Sequence, residues 1–425
     1  MVRMSPLHKR LYPFALGILV AAAACTRTAD VPAGAVENDA APAAARVADA
    51  GVATASQLAL LDLAFRVASS IPVEPHVKSR SRAQEAVLVA CNDMGLHAKA
   101  LALAPQIDNW RRGVAHADLA IQLSRSGKGA EARHHASIAQ AIADESMKTA
   151  DAQEWRRDRI RAKVACALVL LGDGSKAGEL TQGIAESELA EYMAVRAEAC
   201  QGAELEALES AIPRMVATGN LDVARAGMVA AVALVDRFHD DAVRRETQLK
   251  FLVEQQGKVP AAMWLELQLR MAEDALRRGQ GARALVHLDG AAGTLAANRW
   301  LDEDRIANLG RIAALRARSG DLAGARSAAA LALREYDAYE AAIVDIWRAR
   351  ALRPVAEAFA RCGDLNEAAA AYRRVVEVGV VNPNSRPRAE DLAATCLSMA
   401  LCGFEPASSL AERMAAVADG MGAPW

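Results

Sequence analysis

Aromatic residues are scarce in this chain: 6 Trp, 5 Tyr and 6 Phe make up 4% of 425 residues. Strands draw on β-branched and aromatic side chains, so an all-β protein is disfavoured. Net charge is nearly absent as well, with 50 Lys and Arg against 52 Asp and Glu and a formal balance of −2. That excludes a strong bulk electrostatic pull toward nucleic acid. The 7 cysteines form no CxxC pair, so metal ribbons and thioredoxin-like redox chemistry lack support. GxSxG, the P-loop, HExxH and a GxGxxG after a strand are all missing. A non-enzyme is the preferred reading, and no cofactor or metal is assigned.

What is present is aliphatic. The chain is 53% hydrophobic and 24% charged, which gives enough apolar surface to fold rather than stay disordered. Ala with Leu, Glu, Arg and Gln is the mixture that helices prefer.

The first residues read as an address. Arg3, Lys9 and Arg10 form a positive start, and Leu11 to Ala24 is an apolar stretch too short to span a bilayer as a mature helix. The run Ala22-Ala23-Ala24-Cys25 resembles a bacterial lipobox, in which the cysteine becomes the lipidated first residue. That resemblance implies removal of 1–24, a lipid on Cys25 and, with Thr26 following, delivery to the periplasmic side of a Gram-negative outer membrane. Cleavage at an Ala-x-Ala site, giving a soluble periplasmic protein, is the alternative. Removing the signal leaves 47 basic against 52 acidic residues. Residues 25–55 mix Ala, Pro, Gly and acids without apolar periodicity, as a flexible tether does.

From Ser56 one mark recurs. A helical run ends at Gly, and an Ala follows five residues later, as in Gly95/Ala100, Gly127/Ala132, Gly172/Ala177, Gly219/Ala224, Gly279/Ala284, Gly320/Ala325 and Gly363/Ala368. A degenerate eighth copy places Cys402 in the glycine slot, with Ala407 five on. Such a Gly closes a helix in the left-handed conformation. Asp173, Asn220, Asp321 and Asp364 follow it as N-caps of the next helix. A second Ala stands seven residues before the glycine in Ala120, Ala165, Ala272, Ala313 and Ala356, where small side chains let helices cross closely. The spacing between marks is 32, 45, 47, 60, 41, 43 and 39 residues. The 60-residue gap has room for an extra helix over 241–256. Trp110-Arg111-Arg112 and Trp155-Arg156-Arg157 each stand 17 residues before their glycine, and Trp264, Trp300 and Trp347 also open a first helix.

These features resemble the tetratricopeptide-repeat superfamily over about Arg82 to Ala418. The closest stretch is Pro354–Val375, where Ala356, Phe359, Gly363, Ala368 and Tyr372 match its small and aromatic packing positions. The resemblance implies an all-α, right-handed superhelical solenoid of about eight antiparallel helix pairs over 56–420, with a tail at 421–425. The first helix of each pair would line the concave side. Each pair would bury its apolar face on its neighbours, and the whole is expected to be one elongated array.

Candidate interaction residues are few. Trp110, Arg111, Trp155, Arg156, Trp300 and Trp347 are read as joints between repeats, or as an interface, since Trp and Arg dominate binding hot spots. The basic clusters at 156–163 and 78–82, and the groups Glu131/His134/His135 and Asp236/His239/Asp240, are read as solvated helix surface. Cys362 with Cys402, or with Cys396, is a candidate disulfide in an oxidising compartment. The functional expectation is a membrane-anchored periplasmic scaffold or assembly factor that holds a protein or peptide in the solenoid groove. The membrane would be touched only through the N-terminal lipid, and nucleic acid is no partner. A solenoid that binds or processes cell-wall glycan or a small ligand is the alternative, weakened by the shortage of aromatic platforms.

Overall fold

Thr54 opens the first helix with a reciprocal cap. Its hydroxyl accepts from Gln57 N at 3.1 Å, and Gln57 Oε1 accepts from Thr54 N at 2.9 Å. The structure, a computed structural model, describes residues 53–148 and 152–425. The signal segment 1–24, Cys25 and nearly all of the tether lie outside the described residues. The described residues are all-α, with no strand among them, and they fall within one unit, Ala45–Trp425.

Helices of this unit alternate between two layers. The inner layer holds α2 (Val73–Asp93), α4 (Arg111–Arg125), α6 (Glu154–Leu170), α8 (Leu189–Ala199) and α10 (Leu221–Arg237). It continues with α12 (Ala261–Arg277), α14 (Asp302–Arg318), α16 (Asp345–Arg361) and α18 (Ser385–Cys402). Each of these packs on the next in chain order. The outer layer holds α3 (His97–Leu103), α5 (Gly129–Ser146), α7 (Gly174–Leu180) and α9 (Gly202–Ala217). After these come α11 (Ala242–Glu254), α13 (Gly281–Ala297), α15 (Leu322–Tyr339) and α17 (Leu365–Gly379). The result is the expected all-α solenoid of helix pairs, and α11 is the extra helix of the 60-residue gap.

Sequence punctuation maps onto this directly. All seven glycines of the mark are left-handed, with φ from +71° to +89°. At Gly363 the turn closes through Gly363 N to Ala360 O and Asp364 N to Phe359 O, both 3.0 Å, the paired bonds of a Schellman motif. In the eighth mark the left-handed residue is Gly403 rather than Cys402, because only glycine holds that conformation without a Cβ penalty. Ala120, Ala165, Ala272, Ala313 and Ala356 are all fully buried at the crossings. At Gly310 on α14 the approach to a neighbouring backbone is closest, since an added Cβ would sit 2.7 Å from the backbone of Pro354 on α16.

Some local expectations change. Asn220 and Asp321 cap their helices, but the side chains of Asp173 and Asp364 make no capping bond. Asp364 is held instead by Arg326, with contacts of 2.8–3.1 Å. Gly219 joins outer α9 to inner α10, so at this mark the helix after the glycine is the inner one. Three helices, α7, α8 and α9, lie between Gly172 and Gly219 where regular marks are separated by two, and this one extra helix produces the change of phase; the extra helix α11 restores it.

The array also closes on itself instead of extending. Helix α19 (Ser408–Asp419) barely touches α18, and α1 (Ala55–Ser70) packs along α18 as extensively as an outer helix packs in an ordinary pair. The two run antiparallel. Gln57 Nε2 donates to Ala400 O at 2.8 Å near the end of α18. At its start, residues of the tail fold back, and Ser385 N donates to Pro424 O at 2.8 Å. Arg66 on α1 meets Asp419 at 2.8 Å. Leu61, Ala64, Ala68 and Ile71 of α1 are fully buried, and Leu61, Ala64 and Ile71 share a core with Tyr372, Cys396 and Met399. A small rotation at each repeat accumulates along a solenoid, and here it brings the first helix to the last.

Candidate functional site

Because the inner helices lie side by side around a closed array, the faces they turn inward bound a lumen. On α10 that face is Asp222, Arg225, Val229, Ala233, Asp236 and Arg237, and on α12 it is Ala262, Glu266, Arg270, Glu273 and Arg277. The steps of three and four residues are one stripe of a helix. With contributions from α2, α4, α8 and α14 these line a half-open cavity of about 1400 Å³. A second cavity of about 590 Å³, between α12, α14, α16 and α18, shares Ala262, Glu266 and Arg311 with the first. Guanidinium and carboxylate groups are interleaved over the whole wall, so it offers charge-assisted hydrogen bonds of both polarities.

An ion pair or charged hydrogen bond crosses every consecutive inner joint. Glu85 binds Arg111 between α2 and α4. Lys163 on α6 bridges Asp118 on α4 at 2.6 Å and Glu191 on α8 at 2.8 Å. Arg237 on α10 donates to Ala197 O on α8 at 2.9 Å. Arg278, at the end of α12, grips Asp236 on α10 at 2.9 Å. Arg311–Glu266 at 2.9 Å, Arg350–Asp304 at 3.4 Å and Arg353–Asp391 at 3.1 Å join α12 to α14, α14 to α16 and α16 to α18. The joint between α18 and α2 has no such pair among the described residues.

Burial sets the charge states at these joints. It pushes the Asp118 carboxyl up to about 6 despite Lys163, and the Asp391 carboxyl to about 6 despite Arg353. The same burial opposes the Lys163 ammonium, but Asp118 and Glu191 outweigh it and hold the amine charged.

The tryptophans sit where the repeats meet. Trp110 is buried and meets the half-exposed Trp155 edge to face, ring centres 5.2 Å apart, across the α4/α6 joint. Arg111 lies over Trp110 at 4.8 Å and Arg156 over Trp155 at 5.8 Å. Trp347 is partly exposed under Arg350 at 5.0 Å. Trp300 lines the smaller cavity, with its buried indole N–H lacking a hydrogen-bond partner. The site residues chosen from sequence are therefore spread around the array, and only Trp300 reaches the lumen. Cys362 and Cys402 are both free thiols: Cys362 packs against Ala317 and Ala325, and Cys402 Sγ lies 3.4 Å from Tyr372 Oη. Cys25 lies outside the described residues.

Two clusters read as solvated surface are so only in part, since each holds one buried titratable residue while Glu131 and His134 are exposed. Asp158 is buried, accepting from Arg157 at 2.8 Å and from Ala185 N at 3.1 Å. His135 on α5 is buried against His116 on α4, Nδ1 to Nδ1 at 3.2 Å, and burial with the neighbouring imidazole lowers His116 to about 4. The Asp118–Lys163 pair was missed, although a signal exists: both residues stand eight positions after the tryptophan of their copy. No group of three His, Cys, Asp or Glu able to hold a metal occurs among the described residues, and no described helix is long and apolar enough to cross a membrane. No protein-family model and no curated protein matches the chain.

Proposed function

We propose that this chain is an exported scaffold or assembly factor, tetratricopeptide-like in its repeats and anchored through a lipid on Cys25, that holds a protein or peptide segment in its lumen. The observation that carries the reading is the continuous wall of interleaved guanidinium and carboxylate groups on consecutive inner helices. A peptide backbone carries donors and acceptors in alternation, and such a wall can meet both. Rigid inner helices present these groups with little ordering left to do on binding. For the glycan alternative the lumen supplies one tryptophan, Trp300, where sugar platforms want several rings.

The test is photocrosslinking in intact cells, with a benzoylphenylalanine placed at Val229 or Met263 in the lumen and at Val243 on the outer face as control. Adducts with a protein at the lumen positions alone support the reading. Equal adducts at Val243, or none in the lumen, sink it. The address is tested separately, because Cys25→Ala is expected to abolish labelling with radioactive palmitate and to release the chain from membranes.

A further inference from the structure

We infer that the protein has a second binding site, adjoining the lumen through Asp236 and Asp274, for a small organic carboxylate with an apolar body. The site is a cavity of about 200 Å³ between α10, α11, α12 and α13. Val232, Val235, Leu249, Met271 and Ala275 line it with apolar surface, and the guanidinium groups of Arg245 from α11 and Arg283 from α13 line it too; the carboxylates of Asp236 and Asp274 also reach it but are paired with Arg278 and Arg277. Both donate to a single acceptor, His239 O, at 2.7 and 3.1 Å, and Arg283 also donates to Gln280 Oε1 at 2.8 Å. Neither makes an ion pair with a carboxylate among the described residues, unlike Arg278 beside them, which is saturated by Asp236. Two cations from different helices are thus fixed in position with further N–H donors unspent. A carboxylate fits that fork, since guanidinium recognises it through paired hydrogen bonds.

Helix α11 adds weight to the assignment. It is the helix inserted beyond the regular repeat, and only Leu252 of it is buried, so its contribution to the core is slight. It supplies Arg245, Glu246 and Leu249 to this cavity. An apolar pocket with a few convergent polar groups is the usual form of a small-ligand site. The space equals about seven waters in bulk, which sets the ligand on the order of ten non-hydrogen atoms. His287 and Glu246 complete the rim. Burial lowers the pKa of His287, so at neutral pH it is an uncharged donor or acceptor beside the carboxylate. Glu246, on the same rim, disfavours dianions.

Calorimetry on the mature chain would use hexanoate, hexan-1-ol and hexylamine as probes, with the Met271 methyl group followed by NMR. Hexanoate is expected to bind one to one and shift the Met271 signal, with hexan-1-ol at least about tenfold weaker and hexylamine not bound. Arg245→Gln and Arg283→Gln should each weaken hexanoate about tenfold to a hundredfold, the usual range for losing a charged hydrogen bond. Ala275→Leu should abolish binding by filling the cavity, with its fold checked by circular dichroism. Equal affinity for hexanoate and hexan-1-ol, an unmoved Met271 signal, or hexanoate binding unchanged in both arginine variants would overturn the proposal. The lumen crosslinks do not depend on any of these results.

Discussion

The buried apolar residues divide into two large cores that are built differently. One, the closing core, joins α12–α19 to α1–α3, so both ends of the chain contribute to it. The other, the middle core, spans α4 to α12 on continuous chain. The closing core contains the regular repeats, with inner helices of 17 or 18 residues from α12 to α18. The middle core holds the seven-residue α7, the eleven-residue α8 and the inserted α11. The larger cavity borders chiefly α8, α10 and α12 of this irregular half. The difference has a physical reason. Helix α1 replaces the outer partner of α18 only if the last repeats offer the same groove as the others. Repeats in mid-chain are tied to their neighbours by short connections and are free to vary, and the larger cavity lies beside them.

The largest effect should separate the cores. Leu61→Ala, at a fully buried site on α1, and Leu234→Ala, at a fully buried site on α10, should each cost about 2–5 kcal/mol. Hydrogen exchange should then lose protection in α1 and α18 for the first, and in α8 and α10 for the second. If Leu61→Ala deprotects both halves equally, the ring unfolds as one unit and the division into two cores has no thermodynamic meaning.

Acid should act on the middle half. His116 on α4 faces His135 and His134 on α5, with Arg112 on its own helix, and burial lowers its pKa from 6.5 to about 4. The folded state therefore resists a proton that the unfolded state accepts. Stability is full above pH 6.5, falls as pH drops toward 4, and levels off below. The loss is at most about 3 kcal/mol for this residue. A urea titration of wild type and His116→Gln at pH 7.5 and pH 4.5 measures it. An equal loss in the variant would remove His116 as the cause.

Much of the fold was legible because its marks are steric demands on single residues. The seven glycines could be read because each turn needs a left-handed residue, and the alanines because close crossings leave no room for more. Closure was not legible. The pattern of α1 says that Leu61, Ala64 and Ala68 share one face, but which helix covers that face depends on rotation accumulated over the whole array. The phase change at Gly219 was hidden for a similar reason, since a left-handed glycine ends a helix whichever layer follows. Of the lumen, the sequence indicated that the first helix of each pair lines a concave groove but not that the array closes around it. His135 was misread because its partner His116 lies in the preceding helix.

Glycines give the next effect. Alanine at Gly310 would press its Cβ on the backbone of Pro354 and Val355 at 2.7 Å, which neither helix can relieve without moving. Alanine at Gly113, in the middle half, meets Ile160 Cδ1 at 2.8 Å, a side-chain end that can rotate away, and Ile142 Cγ2 at 3.0 Å and Cβ at 3.3 Å, which must give by a few tenths of an ångström. Gly310→Ala should cost about 1–3 kcal/mol. Gly113→Ala should be nearly neutral, because helix propensity favours alanine by up to about 1 kcal/mol. Thermal melts of both variants check this, and a larger loss at Gly113 would mean that the regular half is the more tolerant one.

The smallest effect concerns what holds the ends together. Eight inner joints each carry a charged contact, while among the described residues the two ends of the chain meet through the exposed Arg66–Asp419 pair of α1 and α19, with side chains 57% and 66% accessible, and the hydrogen bond of Gln57 to Ala400 O. Exposed pairs contribute between nothing and about 1 kcal/mol. Arg66→Ala should therefore shift the urea midpoint slightly, and no more in low salt than an exposed pair allows. Breaking the largely buried Arg353–Asp391 pair by Arg353→Ala should cost several times as much, since it leaves the Asp391 carboxyl without its cation. If Arg66→Ala matched Arg353→Ala, the closure would be electrostatic. A small effect of Arg66→Ala beside a large one of Leu61→Ala would locate the closure in the apolar face of α1, the one element that reaches α18 from the opposite end of the sequence.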